Sequence, residues 1–136
     1  MDLLECKRKS LVKEVKADKN LIRSLIQSSS KRMKTQELLA LTPITASSKI
    51  SLTYEALREL LEALGISKGY KIYNHECYSA FLKEVLKESR LGSEFNKFRK
   101  IRNAINYYGK DISISETKHL LSEMGIMIEK LKTKFF

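Results

Sequence analysis

Between about Lys49 and Leu64, apolar side chains recur at Ile50, Tyr54, Leu57, Leu61 and Leu64, at steps of three and four. That spacing lines them along one face of a 3.6-residue helix and fits no strand period. An apolar stripe of this length has to be covered by other helices, so the expected class is all-α, an antiparallel up-and-down bundle of about five to six helices. Composition agrees. The chain is 43% hydrophobic and 31% charged, with five Gly and one Pro in 136 residues, which describes one helix-rich domain over residues 1–136 with little loop.

The flanking segments carry the partners. Leu4, Leu11, Val12 and Val15 share a face across residues 2 to 17, with Asp2 placed to cap a first helix. Asp18 can cap a second, running to about Leu39 on Leu21, Ile22, Leu25, Ile26 and Met33, although the serines at 28 to 30 are polar for mid-helix. "LTPITASS" interrupts, because Pro43 has no N–H to donate. Gly65 is placed to end the central helix, "ISKGYKIYNHE" links onward, and Phe81, Leu82, Val85 and Leu86 mark a short helix to about Ser89. "RLGS" reads as a stop, Ser93 as the cap of a helix reaching Tyr108 and Gly109, and Ser113 or Ser115 as the start of the last helix, facing inward on Leu120, Leu121, Met124, Met127, Ile128 and Leu131. "YKIY" alternates but is too short to read as a strand. No self-similar period points to a solenoid.

Several classes are excluded by what is missing. No apolar run approaches the roughly 18 residues of a membrane helix, and "MDLLECKRKS" is too charged for a signal peptide. Cys6 and Cys77 lack a CxxC spacing and read as two separate thiols, which points to a reducing, cytoplasmic interior. Nothing resembles a phosphate-binding glycine loop, a nucleophile elbow or HExxH, and the Cys and His spacings match no zinc pattern, so no metal or organic cofactor is expected. Twenty-six Lys and Arg against sixteen Asp and Glu give a net charge of +10, which favours a polyanionic partner. A solvated lysine-rich surface is the competing reading, and charge alone does not separate the two.

The segment "FRKIRNAINYYG", residues 98 to 109, carries the most specific pattern. Phe98, Ile101, Ile105 and Tyr108 fall on one helical face and are expected in the core. Arg99, Arg102, Asn103 and Asn106 follow i, i+3, i+4, i+7 on another. Asn is a poor choice for a solvated helix face, where Lys and Glu pairs are commoner. Two amides beside two guanidinium groups therefore suggest hydrogen bonding to a phosphate, a base edge or a second subunit, against the alternative that the amides tie this helix to its neighbours.

"RKIRNAINYYG" resembles the signature segment of HEPN domains, in which an Arg, often followed by Asn, precedes a His by four to six positions. "GYKIYNHECYSAFLKEVL" and "YEALRELLEALGISKGYK" are similar to two further segments of that family, in the same order. The resemblance implies a bundle of about five helices, a homodimer with opposed motifs, and RNA cleavage, RNA binding or nucleotide binding. It also implies a small nucleotidyltransferase as a possible protein partner in a toxin–antitoxin pair.

Arg102 matches the family arginine and Asn103 the polar residue after it, but Tyr107 stands where the histidine belongs, and no allowed spacing restores one. Metal-free RNA cleavage needs groups to remove and deliver protons near neutral pH, and a phenol with a pKa near 10 is a poor substitute for an imidazole near 6.5. The expected function is thus an RNA- or nucleotide-binding module that does not cut, using Arg99, Arg102, Asn103, Asn106 and Tyr107. The alternatives are a metal-independent ribonuclease built on Arg102 and Tyr107, and a protein-interaction bundle. Tyrosines 70, 73, 78, 107 and 108 are available to stack on bases where exposed. His75, at the head of a helix beside Glu76, either caps backbone groups or packs near the motif. His119, beside Leu120 and Leu121, reads as partly buried or solvated.

Overall fold

The central helix of the bundle is α3 (Ala46–Ser67), in a computed structural model that describes all 136 residues. Ile50, Tyr54, Ala56, Leu57, Leu60, Leu61, Ala63 and Leu64 are all at most 1% exposed, so this helix is buried nearly all round. The others wrap it: α2 (Lys19–Leu38) lies along it as a hairpin, α5 (Ser89–Tyr108) and α6 (Ile114–Phe135) pack on its other sides, and α4 (His75–Glu84) lies against α5. A short α1 (Leu3–Arg8) rests on α4. The expected all-α bundle is what forms, and no helix is long and apolar enough to cross a membrane.

Buried polar groups lock α2 onto α3. The serine run that looked out of place supplies one of them, since Ser29 is fully buried and its hydroxyl donates to the Ala56 carbonyl at 2.7 Å. A helix leaves its last carbonyls without partners. Lys49, 7% exposed, supplies them for α2, its ammonium donating to the carbonyls of Gln36 and of Leu39, the latter at 2.6 Å. Glu59, equally sequestered, pairs with Arg32.

The structure departs from the sequence-based boundaries where long-range pairing intervenes. Asp2 caps α1 as expected, but the helix ends at Arg8 instead of continuing to residue 17. Ser10 takes φ +59, and β1 (Val12–Glu14) then pairs antiparallel with β2 (Tyr70–Ile72), Val12 opposite Ile72. The β-branched Val12 fits the extended backbone better than a helix, and "YKIY" is a strand because this partner exists. Gly65 lies inside α3, whose cap is Lys68. α4 stops at Glu84, earlier than Ser89, and Lys87 at φ +58 turns the chain into α5. "RLGS" therefore lies inside α5 and Ser93 is not its cap. Gly92 is needed there for space, because a Cβ would sit 2.9 Å from the Ser79 carbonyl oxygen on α4. Gly109, at φ +65, ends α5 as expected, and Ser113 caps α6.

Cys6 and Cys77, expected as separate thiols, form a buried disulfide that ties α1 to α4 across 71 positions, with Cα atoms 6.1 Å apart. The inference of a reducing compartment from unpaired thiols falls away with it. Closing so long a loop restricts the unfolded chain, so replacing both cysteines with serine is expected to cost about 2–4 kcal/mol in urea unfolding. The intact mass of the unreduced protein should be lower by two hydrogens than that of the reduced form; two titratable thiols in the native, unreduced protein would contradict the pairing.

Candidate functional site

Arg102 organises the site. At about 100° per residue, it falls about 40° from Phe98, between Phe95 and Ile105, and so sits in the middle of the face that α5 buries. It is 9% exposed. A guanidinium in that position must be paired, and α3 supplies the partners. Its Nη2 donates to Glu55 Oε1 at 3.2 Å, and its Cζ lies 4.6 Å from the centre of the Tyr54 ring. Tyr54 is held by stacking on Phe95, with centroids 5.6 Å apart. On the outer side Nη1 donates to Asn103 Oδ1 at 2.9 Å and to the Tyr107 hydroxyl at 3.1 Å.

The same angular reading explains a miss. Tyr108, expected in the core, falls about 80° to the other side of Phe98 and beyond the end of the packed surface. It is 83% exposed. Phe98 and Ile105 are buried as expected, and Ile101 is half-buried.

Glu55 serves two arginines. Its Oε2 accepts from Arg58 Nε at 3.0 Å; Arg58 reaches on to Glu62 at 3.4 Å, and Glu62 also pairs with Lys71 on β2 at 3.2 Å. Burial pushes the Glu55 carboxyl up, but Arg58 and Arg102 more than offset this and hold it below its ordinary value. Burial alone would lower the Arg58 pKa, yet Glu55 raises it overall. Both groups are charged at neutral pH.

His75 joins this cluster. The cap of α4 is Asn74, whose side chain accepts from Glu76 N at 2.8 Å, and His75 instead packs toward the motif with Nδ1 2.9 Å from the Tyr54 hydroxyl. Burial pushes the Tyr54 phenol well up, so it keeps its proton. Burial also pushes the His75 imidazole down, and Arg58 and Arg102 add to the effect, so the ring is neutral at pH 7 and accepts from Tyr54. His119 is far more open, 78% exposed, with Nε2 2.8 Å from Glu123.

The predicted stripe thus divides. Asn103 orients Arg102, and Asn106 accepts from the Ser51 hydroxyl of α3 at 3.2 Å. Arg99 is held by the neutral Asn96 Oδ1, at 3.2 and 2.8 Å from its Nε and Nη2, and pairs with no carboxylate. Sequence reasoning missed Tyr54, Glu55, Arg58 and Asn96. The signal for two of them lay in "YEALRELLEAL", where Glu55 and Arg58 stand with Glu62 at i, i+3, i+7 within an otherwise apolar helix. Searches with protein-family models, among curated proteins and among solved structures returned no match.

The site makes the protein sensitive to acid. The folded-state pKa of His75 lies below its ordinary 6.5 and that of Glu55 below its ordinary 4.5, so the unfolded chain binds more protons in both windows. Stability from both groups is present at pH 7 and lost as pH falls, that from His75 first, below about 6.5. His75→Gln is expected to flatten the loss between about pH 7 and pH 5 in urea unfolding. An undiminished slope in that variant would place the acid sensitivity elsewhere.

Proposed function

We propose that the chain is an HEPN-like module that binds RNA or a nucleotide on the face carrying Arg99, Arg102, Asn103 and Tyr107, and does not cut what it binds. One observation carries the reading: three guanidinium groups, those of Arg58, Arg99 and Arg102, gather around Tyr54 and His75, and Arg99 has no carboxylate of its own. A surplus of fixed positive charge at one place suits a phosphate. The net charge of +10 supplies the long-range attraction. Exposed Tyr73, Tyr107 and Tyr108 offer rings for base stacking, whereas buried Tyr78 does not.

Arg102 contributes mainly by placing Tyr107. The phenol oxygen accepts from Arg102, which leaves the hydroxyl proton free to be donated to a phosphate oxygen. The same contact is what favours the second reading, a metal-independent ribonuclease on Arg102 and Tyr107. Yet a phenol oxygen already accepting a hydrogen bond from a cation is a poor proton acceptor. A homodimer that opposes two such faces, and a small nucleotidyltransferase as partner, follow from the family resemblance and belong to the same proposal.

Each phosphate neutralised on a single strand contributes about −0.7 to the slope of log affinity against log salt. In a filter-binding series with single-stranded RNA, Arg99→Ala is expected to make that slope shallower by about 0.7 and to weaken binding across sequences. An unchanged slope would mean that Arg99 meets no phosphate. Incubated with a mixed RNA pool in EDTA, the wild-type protein should leave the RNA intact; cleavage that disappears in Tyr107→Phe would establish the ribonuclease reading instead.

A further inference from the structure

We infer that His75 and Arg99 form a phosphate subsite that takes up a proton on His75 as it fills, so that RNA binding tightens on acidification; this rests on the binding reading above. The geometry begins with the imidazole. Its Nδ1 is engaged by Tyr54, which fixes the ring, and its Nε2 has no hydrogen-bond partner in the protein. The one buried side-chain polar atom without a partner is Glu59 Oε2, so Nε2 reaches solvent. The ring stands at the first position of the ten-residue helix α4, where the helix dipole adds positive potential.

The charges around it come from every element packed nearby. Helix α3 presents Tyr54, Glu55 and Arg58, and α5 presents Arg99 and Arg102. On α4 itself, Tyr78 is buried with its phenol pushed well up, and Glu76 is taken by the N-terminal amino group at 3.3 Å. Glu55 is shared between Arg58 and Arg102. Glu62 is divided between Arg58 and Lys71, so a proton on His75 in the empty site adds a fourth cation beside three, and both nearby carboxylates are already committed. The neutral ring, accepting from Tyr54 at Nδ1, carries its hydrogen on Nε2, so the proton taken up goes to Nδ1 and the Tyr54 hydroxyl turns to accept from it. A phosphate oxygen at Nε2 favours this imidazolium, which then donates to an anion within the field of Arg99. The same inventory explains why filling does not lead to cutting. Cleavage needs a proton acceptor and a proton donor, and beside His75 the remaining titratable groups are held away from neutrality, the two phenols upward and Glu55 downward.

A decauridylate tests this, since neither its bases nor its phosphodiesters titrate between about pH 5.5 and pH 8. At constant ionic strength, wild-type affinity is expected to rise about tenfold on going from pH 8 to pH 5.5, the equivalent of one unit of pKa displacement. His75→Gln should bind with no such rise, and His119→Gln should keep it. Imidazole NMR on the wild-type protein gives an independent reading that does not depend on any variant folding: the titration midpoint of His75 should move up when the RNA is added, while that of His119 stays. Bound RNA with an unmoved His75 midpoint overturns the subsite and leaves the RNA reading standing. If the RNA does not bind at any pH, the RNA reading fails, and sulfate added alone decides the subsite: a raised His75 midpoint supports it as a small-anion site, and an unmoved one overturns it.

Discussion

A guanidinium that is nine-tenths out of water has to be held, and how Arg102 is held determines the arrangement of everything around it. Glu55 accepts its hydrogen bond and the Tyr54 ring lies under it, both from the central helix, so the pair fixes the rotation of α5 about its own axis against α3. Removing either partner leaves the other charge half-desolvated, a cost an apolar contact would not impose. The interaction therefore acts more as a register pin than as a source of stability. Phe95, stacked on Tyr54, and Asn106, bonded to Ser51, hold the same register above and below.

Pinning α5 in this way decides which polar groups are paired inside the protein and which are left without an internal counter-charge. Asn103 and Glu55 are committed to Arg102, and Asn106 to α3. Arg99 and the Nε2 of His75 are not committed to any anion, and Tyr107 is two-thirds exposed with its oxygen anchored. The neutral state of His75 and the ionised state of Glu55 both reflect the arginines around them, which favour the deprotonated form of each, while burial adds to that effect on the base and opposes it on the acid.

What the sequence discloses and what it withholds follow from the range of each interaction. The period of three and four over Ile50 to Leu64 made the central helix legible, and Asp18, Ser113 and Gly109 marked ends that the structure keeps, because caps are local. The pairing of Val12 with Ile72 and the bond between Cys6 and Cys77 join residues some sixty to seventy positions apart, which no local period registers. For the site, Arg102, Asn103 and Tyr107 were legible together because they lie within two turns of one helix. Glu55 and Tyr54 were not, since each reads as an ordinary member of an amphipathic helix until α5 is laid across it. His75 was visible only as a choice between a cap and a neighbour of the motif, and Asn74 settled that by taking the cap.

The dependence of the site on the Arg102–Glu55 contact is open to direct measurement in a double-mutant cycle. Urea unfolding of the wild type, Arg102→Ala, Glu55→Ala and the double variant isolates the coupling from the separate losses of packing. With the two side chains 10% and 27% exposed, the expected coupling is about 1–2 kcal/mol in favour of the pair, above that of an exposed ion pair. Strict additivity, with the double variant losing the sum of the two single losses, would show that α5 is positioned by its apolar face alone and would contradict the central role assigned to Arg102.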